Sequence, residues 1–109
     1  YSAAMYPLYK TGAVTNGSLH LMRLWKQILR VDGVSLKCEA GTCDVTMTVD
    51  GASAGSTYSV SATGSNQTFG TVIQIDATSA GKSIDFTVTN ANSACVGLQV
   101  SLSTATAII

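Results

Sequence analysis

From Gly33 onward, apolar and polar residues alternate with a period of two, interrupted roughly every ten residues by clusters of Gly, Asn, Asp and Ser. Val34, Leu36 and Cys38 share one face, as do Val45, Met47 and Val49, and then Tyr58 and Val60. The less regular TFGTVIQI follows, then Ile84, Phe86 and Val88, and finally Val96, Leu98, Val100 and Leu102 with Gly97, Gln99 and Ser101 opposite. Successive side chains of a strand point to opposite faces, so each set marks a half-buried strand. The intervening DGASAGS, TGSNQ, DATSAGK and TNANSA tolerate turn dihedrals and bond locally to the backbone. Together they predict an antiparallel sheet of about five to seven strands over 33–109.

Residues 18–31, SLHLMRLWKQILRV, carry a different period. Leu21, Leu24, Trp25 and Ile28 recur at helical spacing, flanked by Met22 and Leu29, while His20, Arg23, Lys26, Gln27 and Arg30 take the other side. This predicts an amphipathic helix over 18–31, capped by Asn16 or Ser18, with Arg30 at the negative end of its dipole and Gly33 just beyond. In residues 1–17, Pro7, Gly12 and Gly17 interrupt any long helix, which leaves an extended arm. Tyr6, Leu8 and Tyr9 make that arm apolar enough to dock on this domain's core or on a neighbour. The predicted fold is therefore α+β and mainly β: one domain, 1–109, with one N-terminal helix packed on the sheet.

Composition bears on setting more than on task. Only 11% of the 109 residues are charged, against roughly 25% in ordinary soluble domains, and Ser plus Thr supply roughly a quarter. Such a surface meets water without charge and suits a secreted or assembled protein. The net charge is zero but segregated. Lys10, Arg23, Lys26, Arg30 and Lys37 face Asp32 alone in the first third; Glu39, Asp44, Asp50, Asp76 and Asp85 face Lys82 alone thereafter. This pattern fits a solvated basic face beside loop acids, or head-to-tail contacts between subunits in which Arg23, Lys26 and Arg30 meet acidic loops. A neutral chain without a clustered basic stripe predicts no nucleic-acid partner. No apolar run reaches the ~18 residues of a membrane span. Tyr1 in place of an initiator Met suggests a processed or truncated chain. The terminal Ile108 and Ile109 suit an edge strand or a strand donated to another chain.

Cys38 has the parity of Val34 and Leu36, and Cys43 that of Val45 and Met47, so both point to one side. With EAGT as a four-residue hairpin loop they would oppose each other across a ladder, which predicts a Cys38–Cys43 disulfide. Cys95 is then buried and free, or displaces that pairing by bonding Cys38 or Cys43, or links chains. Three cysteines and one His lack the paired close spacing of a zinc site, and neither Cys-x-x-Cys-His nor Cys-x-x-Cys is present. His20 has no nucleophile and orienting acid in any recognisable motif, the acids are dispersed, and the Gly-rich turns lack a phosphate-loop ending. Asn16-Gly17-Ser18 and Asn66-Gln67-Thr68 match a short glycosylation pattern that chance readily produces here. No enzyme, cofactor or metal is predicted.

A helix, a glycine and a Ser/Thr-rich antiparallel sheet over residues 18–102, ending in SIDFTVTNANSACVGLQVSL, resemble the globular portion of bacterial type IV pilins. The resemblance implies a structural subunit of an extracellular filament, assembling with like subunits or with a helical pilin partner. The family's long apolar N-terminal helix is absent, so the chain corresponds to a pilin whose helix was removed or to the separate globular chain of a split pilin. A secreted β-rich adhesion or ligand-binding domain of a surface or viral fibre protein is the alternative expectation.

Overall fold

The computed structural model describes residues 2–108, with side chains described for 4–69 and 72–104. Eight strands run through them: β1 (Ser2–Ala13), β2 (Gly17–Leu24), β3 (Gln27–Lys37), β4 (Cys43–Val49), β5 (Ala52–Val60), β6 (Ser65–Asp76), β7 (Lys82–Thr89) and β8 (Val96–Ile108). They form two four-stranded sheets, ordered β1-β8-β3-β6 and β2-β7-β4-β5, and every pairing is antiparallel. Only the β4–β5 turn stays within one sheet; each other connection crosses to the opposite sheet. That strand order is a jelly roll, an architecture that hosts many functions and assigns none by itself.

The predicted α+β class is corrected to all-β: among the described residues there is no helix, and 18–31 is the end of one sheet and the start of the other. A bulge and a turn produced the helical spacing. β2 slips register against β7 between His20 and Met22, which makes Leu21 an extra residue and moves the inward set from Leu19 to Met22 and Leu24. The chain then reverses at Trp25-Lys26, with Lys26 at φ 60, and re-enters as β3 with Leu29 and Val31 buried. Offsets of three and four were thus made by strands changing face. The extended arm expected over 1–17 is part of the first sheet and docks on this domain's own core. It holds β1, whose Tyr6 and Leu8 pack on the core while Met5 and Tyr9 face outward, 57% and 49% exposed.

The later strands follow their alternation. Val34 and Leu36, Val45 and Met47, Ile84, Phe86 and Val88, and Leu98, Val100 and Leu102 are all buried between the sheets. β3 keeps both halves inward through its own bulge: its register slips between Val31 and Gly33, so Val31 and Val34 both face the core. Each fully buried aliphatic or Phe side chain stabilises the fold by about 1.5–3 kcal/mol relative to exposure. A void between the sheets, bounded by Val34, Met47, Phe86 and Leu102, measures about 10 Å³. That is at the limit for a single water and too small for a ligand.

The expected Cys38–Cys43 hairpin does not form. β3 belongs to one sheet and β4 to the other, so CEAGTC is a crossover over the end of the sandwich. The last strand is not an edge either. β8 lies between β1 and β3, where Ile108 pairs with Gln27; Ile109 is outside the described residues. No helix is long and apolar enough to cross a membrane among the described residues.

Candidate functional site

The basic residues expected on one helix face are dispersed. Arg23 alternates with inward Met22 and Leu24, so it lies on the outside of the second sheet, beside Gly81. Arg30, between buried Leu29 and Val31, lies on the outside of the first sheet. Lys26 sits in the β2–β3 turn with its ammonium 4.7 Å from the centroid of the exposed Trp25 ring, a favourable cation–π contact of about 0.5–1 kcal/mol. These three residues share no face on which a partner could read them together.

Pairing β2 with β7 instead collects a set that linear spacing concealed. His20 stands opposite Asp85 in the ladder, its Nδ1 2.7 Å from Asp85 Oδ1. Ser83 Oγ lies 3.3 Å from the same Nδ1 and donates to Asp85 Oδ2 at 3.3 Å. These are the three residue types of a hydrolytic triad, but not its geometry. A triad places Ser on one ring nitrogen and the acid on the other, so that the imidazole can pass a proton between them. Here both partners address Nδ1, and the His20 side chain is 59% exposed on an open sheet face. The group ties edge strand β2 to β7. Ser83 and Asp85, two apart in SIDF, were legible as sharing a face; their meeting with His20 depends on the crossover topology. Alongside, Asp50 Oδ1 accepts the Ser83 N–H at 2.9 Å and Lys82 Nζ lies 3.8 Å from Asp50 Oδ2.

The outer face of the first sheet presents a second arrangement. Ser35 lies between Asn66 and Ser101 in neighbouring strands, and Pro7 follows Ser101 across the sheet; in the adjoining row Lys37, Gln99 and Tyr9 are successive partners. A shallow groove of about 350 Å³ runs over Ser35, Lys37, Asn66, Gln99 and Ser101, edged by Thr63 and Gly64 of the β5–β6 turn and Ser65 at the start of β6. It shares Gln99 and Ser101 with a second groove of about 360 Å³ that reaches Pro7 and Tyr9. Tyr9 donates its hydroxyl to Glu39 Oε1 at 2.8 Å, which fixes the ring's edge and leaves its body exposed. That hydrogen bond, chiefly, raises the Tyr9 hydroxyl above its ordinary pKa. The groove therefore offers hydroxyl and amide groups that both donate and accept, and one flat aromatic.

The third cluster is buried. Cys38, Cys43 and Cys95 are free thiols, 0%, 2% and 1% exposed. They meet where the β3–β4 crossover touches the start of β8: Glu39 N–H donates to Val96 O at 2.9 Å, Val96 N–H to Ala40 O at 3.1 Å, and Asn92 N–H to Thr42 O at 3.0 Å. The Cys95 thiol lies close enough to both others to disfavour their ionisation, and Cys38 Sγ donates to Gly41 O at 3.2 Å. Burial first, and the Cys95 thiol second, push Cys43 up to about 12; the same causes raise Cys38. Thiols so held are protonated at neutral pH and are poor nucleophiles. No group of three or more His, Cys, Asp or Glu residues among those described is placed to hold a metal ion. Compared with protein-family models, curated proteins and solved structures, the chain has no match.

Proposed function

We propose that the chain is a non-catalytic adhesion or ligand-binding module of a surface or fibre assembly, working outside the cell, with the outer face of its first sheet taking an uncharged oligosaccharide. The observation that carries this is the pair of cross-strand rows, Asn66-Ser35-Ser101 and Lys37-Gln99-Tyr9, lying in contiguous grooves. Hydroxyl and amide side chains match the mixed donors and acceptors of a sugar, and the Tyr9 ring offers an apolar face to stack upon. Lys37 and the Glu39 that holds Tyr9 leave the rim balanced in charge, which favours a neutral ligand. A glycan array followed by titration calorimetry tests the proposal: a neutral glycan binds, and Tyr9→Ala and Gln99→Ala each weaken binding at least tenfold while the melting temperature holds. Binding that ignores both substitutions, or an array with no hit, overturns it.

A further inference from the structure

The three buried thiols take no part in the binding face, and burying three cysteines against one another needs its own account. We propose that Cys43 and Cys95 form a disulfide that joins the two sheets across the end of the sandwich, with Cys38 remaining a thiol. Three observations select this pair. Cys43 begins β4 in the second sheet and Cys95 immediately precedes β8 in the first, so this bond spans the layers. The crossover and the segment before β8 are already tied by the Asn92–Thr42 and Val96–Ala40 backbone bonds, which hold the two cysteines' surroundings in one position. Cys38, by contrast, turns its thiol onto the Gly41 carbonyl of its own crossover, 3.2 Å away.

The chemistry balances by thiol–disulfide exchange with a small-molecule disulfide such as oxidised glutathione. A thiolate of one cysteine attacks a sulfur of the oxidant and expels one glutathione thiolate; the second cysteine's thiolate then attacks the protein-side sulfur of the mixed disulfide and expels the other. Two protons and two electrons leave the protein, and the oxidant becomes two thiols. Because the folded chain keeps both thiols buried, exchange proceeds through an opened crossover or before folding is complete. A bond between Cys43 and Cys95 encloses β4, β5, β6 and β7, whereas one between Cys38 and Cys43 would enclose only the crossover. The longer loop removes more freedom from the unfolded chain.

The test is peptide mapping of the full chain after equilibration in a glutathione redox buffer, with free thiols trapped by alkylation before non-reducing digestion and mass spectrometry. The expected product is a linked Cys43/Cys95 peptide pair, two hydrogens lighter than its reduced components, and an alkylated Cys38. Three alkylated cysteines, or a link that includes Cys38, overturn the proposal. Melting curves supply a second readout that needs no mapping: a reductant lowers the melting temperature of the native chain and of Cys38→Ser by roughly 10 °C or more. It leaves Cys95→Ser unmoved. Equal sensitivity in all three, or none in the native chain, refutes the bond.

Discussion

Gly41 is the position where one methyl group interrogates the packing of the crossover most sharply. Its φ is +74°, and a Cβ built there would stand 2.4 Å from Cys95 N and 2.5 Å from Ala94 C and Cys95 Cα. A non-glycine residue in the left-handed region costs about 1–2 kcal/mol. The contacts are backbone atoms that no side-chain rotation can remove, so Gly41→Ala must also push the crossover away from the segment before β8. That movement breaks or stretches the Asn92–Thr42 and Val96–Ala40 bonds, 3.0 and 3.1 Å long, at about 1 kcal/mol each. The total is about 3–4 kcal/mol, which in a domain of this size lowers the melting temperature by roughly 12–20 °C. Gly51 is the matched control. It occupies the β4–β5 turn at φ +86° with nothing within 4 Å, so Gly51→Ala incurs the dihedral cost of about 1–2 kcal/mol and nothing more. Urea unfolding of both variants under reducing conditions, followed by circular dichroism, isolates the steric part as their difference, about 2 kcal/mol. Equal destabilisation by the two substitutions would refute the close approach of crossover and strand.

Phe86 is the largest fully buried side chain among the described residues, and Phe86→Ala should cost about 3–5 kcal/mol in calorimetry; a loss under 1 kcal/mol would mean that the two sheets do not close over it. The reduced chain should lose stability between pH 9 and 12, because the unfolded Cys43 thiol ionises near 9.0 while the folded one stays protonated to about 12. Its contribution is fully present below pH 9 and declines above it by up to about 1.4 kcal/mol per pH unit, with Cys38 and Tyr9 acting in the same direction. Denaturant midpoints measured across this range should fall more steeply for the native sequence than for Cys43→Ala, and indistinguishable slopes would contradict the burial of that thiol.

The strands after Gly33 were legible because each buries one face, and burial on one face writes a period of two into the sequence. Val45 and Met47, Ile84 to Val88, and Leu98 to Leu102 stand where alternation put them. Residues 18–31 misled because periodicity records which side chains are inward, not what geometry turned them there. Leu21, as a bulge residue, and the turn at Trp25-Lys26 each shifted the inward set by one position. Two such shifts imitate a helical stripe. The Cys38–Cys43 hairpin failed for a related reason: parity places two residues on the inside of a sandwich but does not say on which sheet. Topology was equally hidden. Neither the Ser83, His20 and Asp85 cluster nor the Tyr9-Gln99-Lys37 row can be inferred without knowing that β2 joins β7 and that β1 joins β8.

Those same irregularities bear on what the molecule can do. A sandwich leaves four edges, here β1, β2, β5 and β6, and an unpaired edge is a template for another chain's strand. Each edge is interrupted. β1 carries Pro7 and a slip between Lys10 and Ala13, β2 slips at Leu21, β5 slips beside Met47 with Gly55 at φ +83°, and β6 slips opposite the β3 bulge. Proline and bulges withdraw or twist away the backbone groups that an added strand would need, which opposes strand addition at those positions. With the interior filled and the edges blunted, the surfaces left for recognition are the outer faces and the loop ends. Of these faces, the first sheet's combines a groove with an exposed aromatic, and it is there that loss of binding should be sought first.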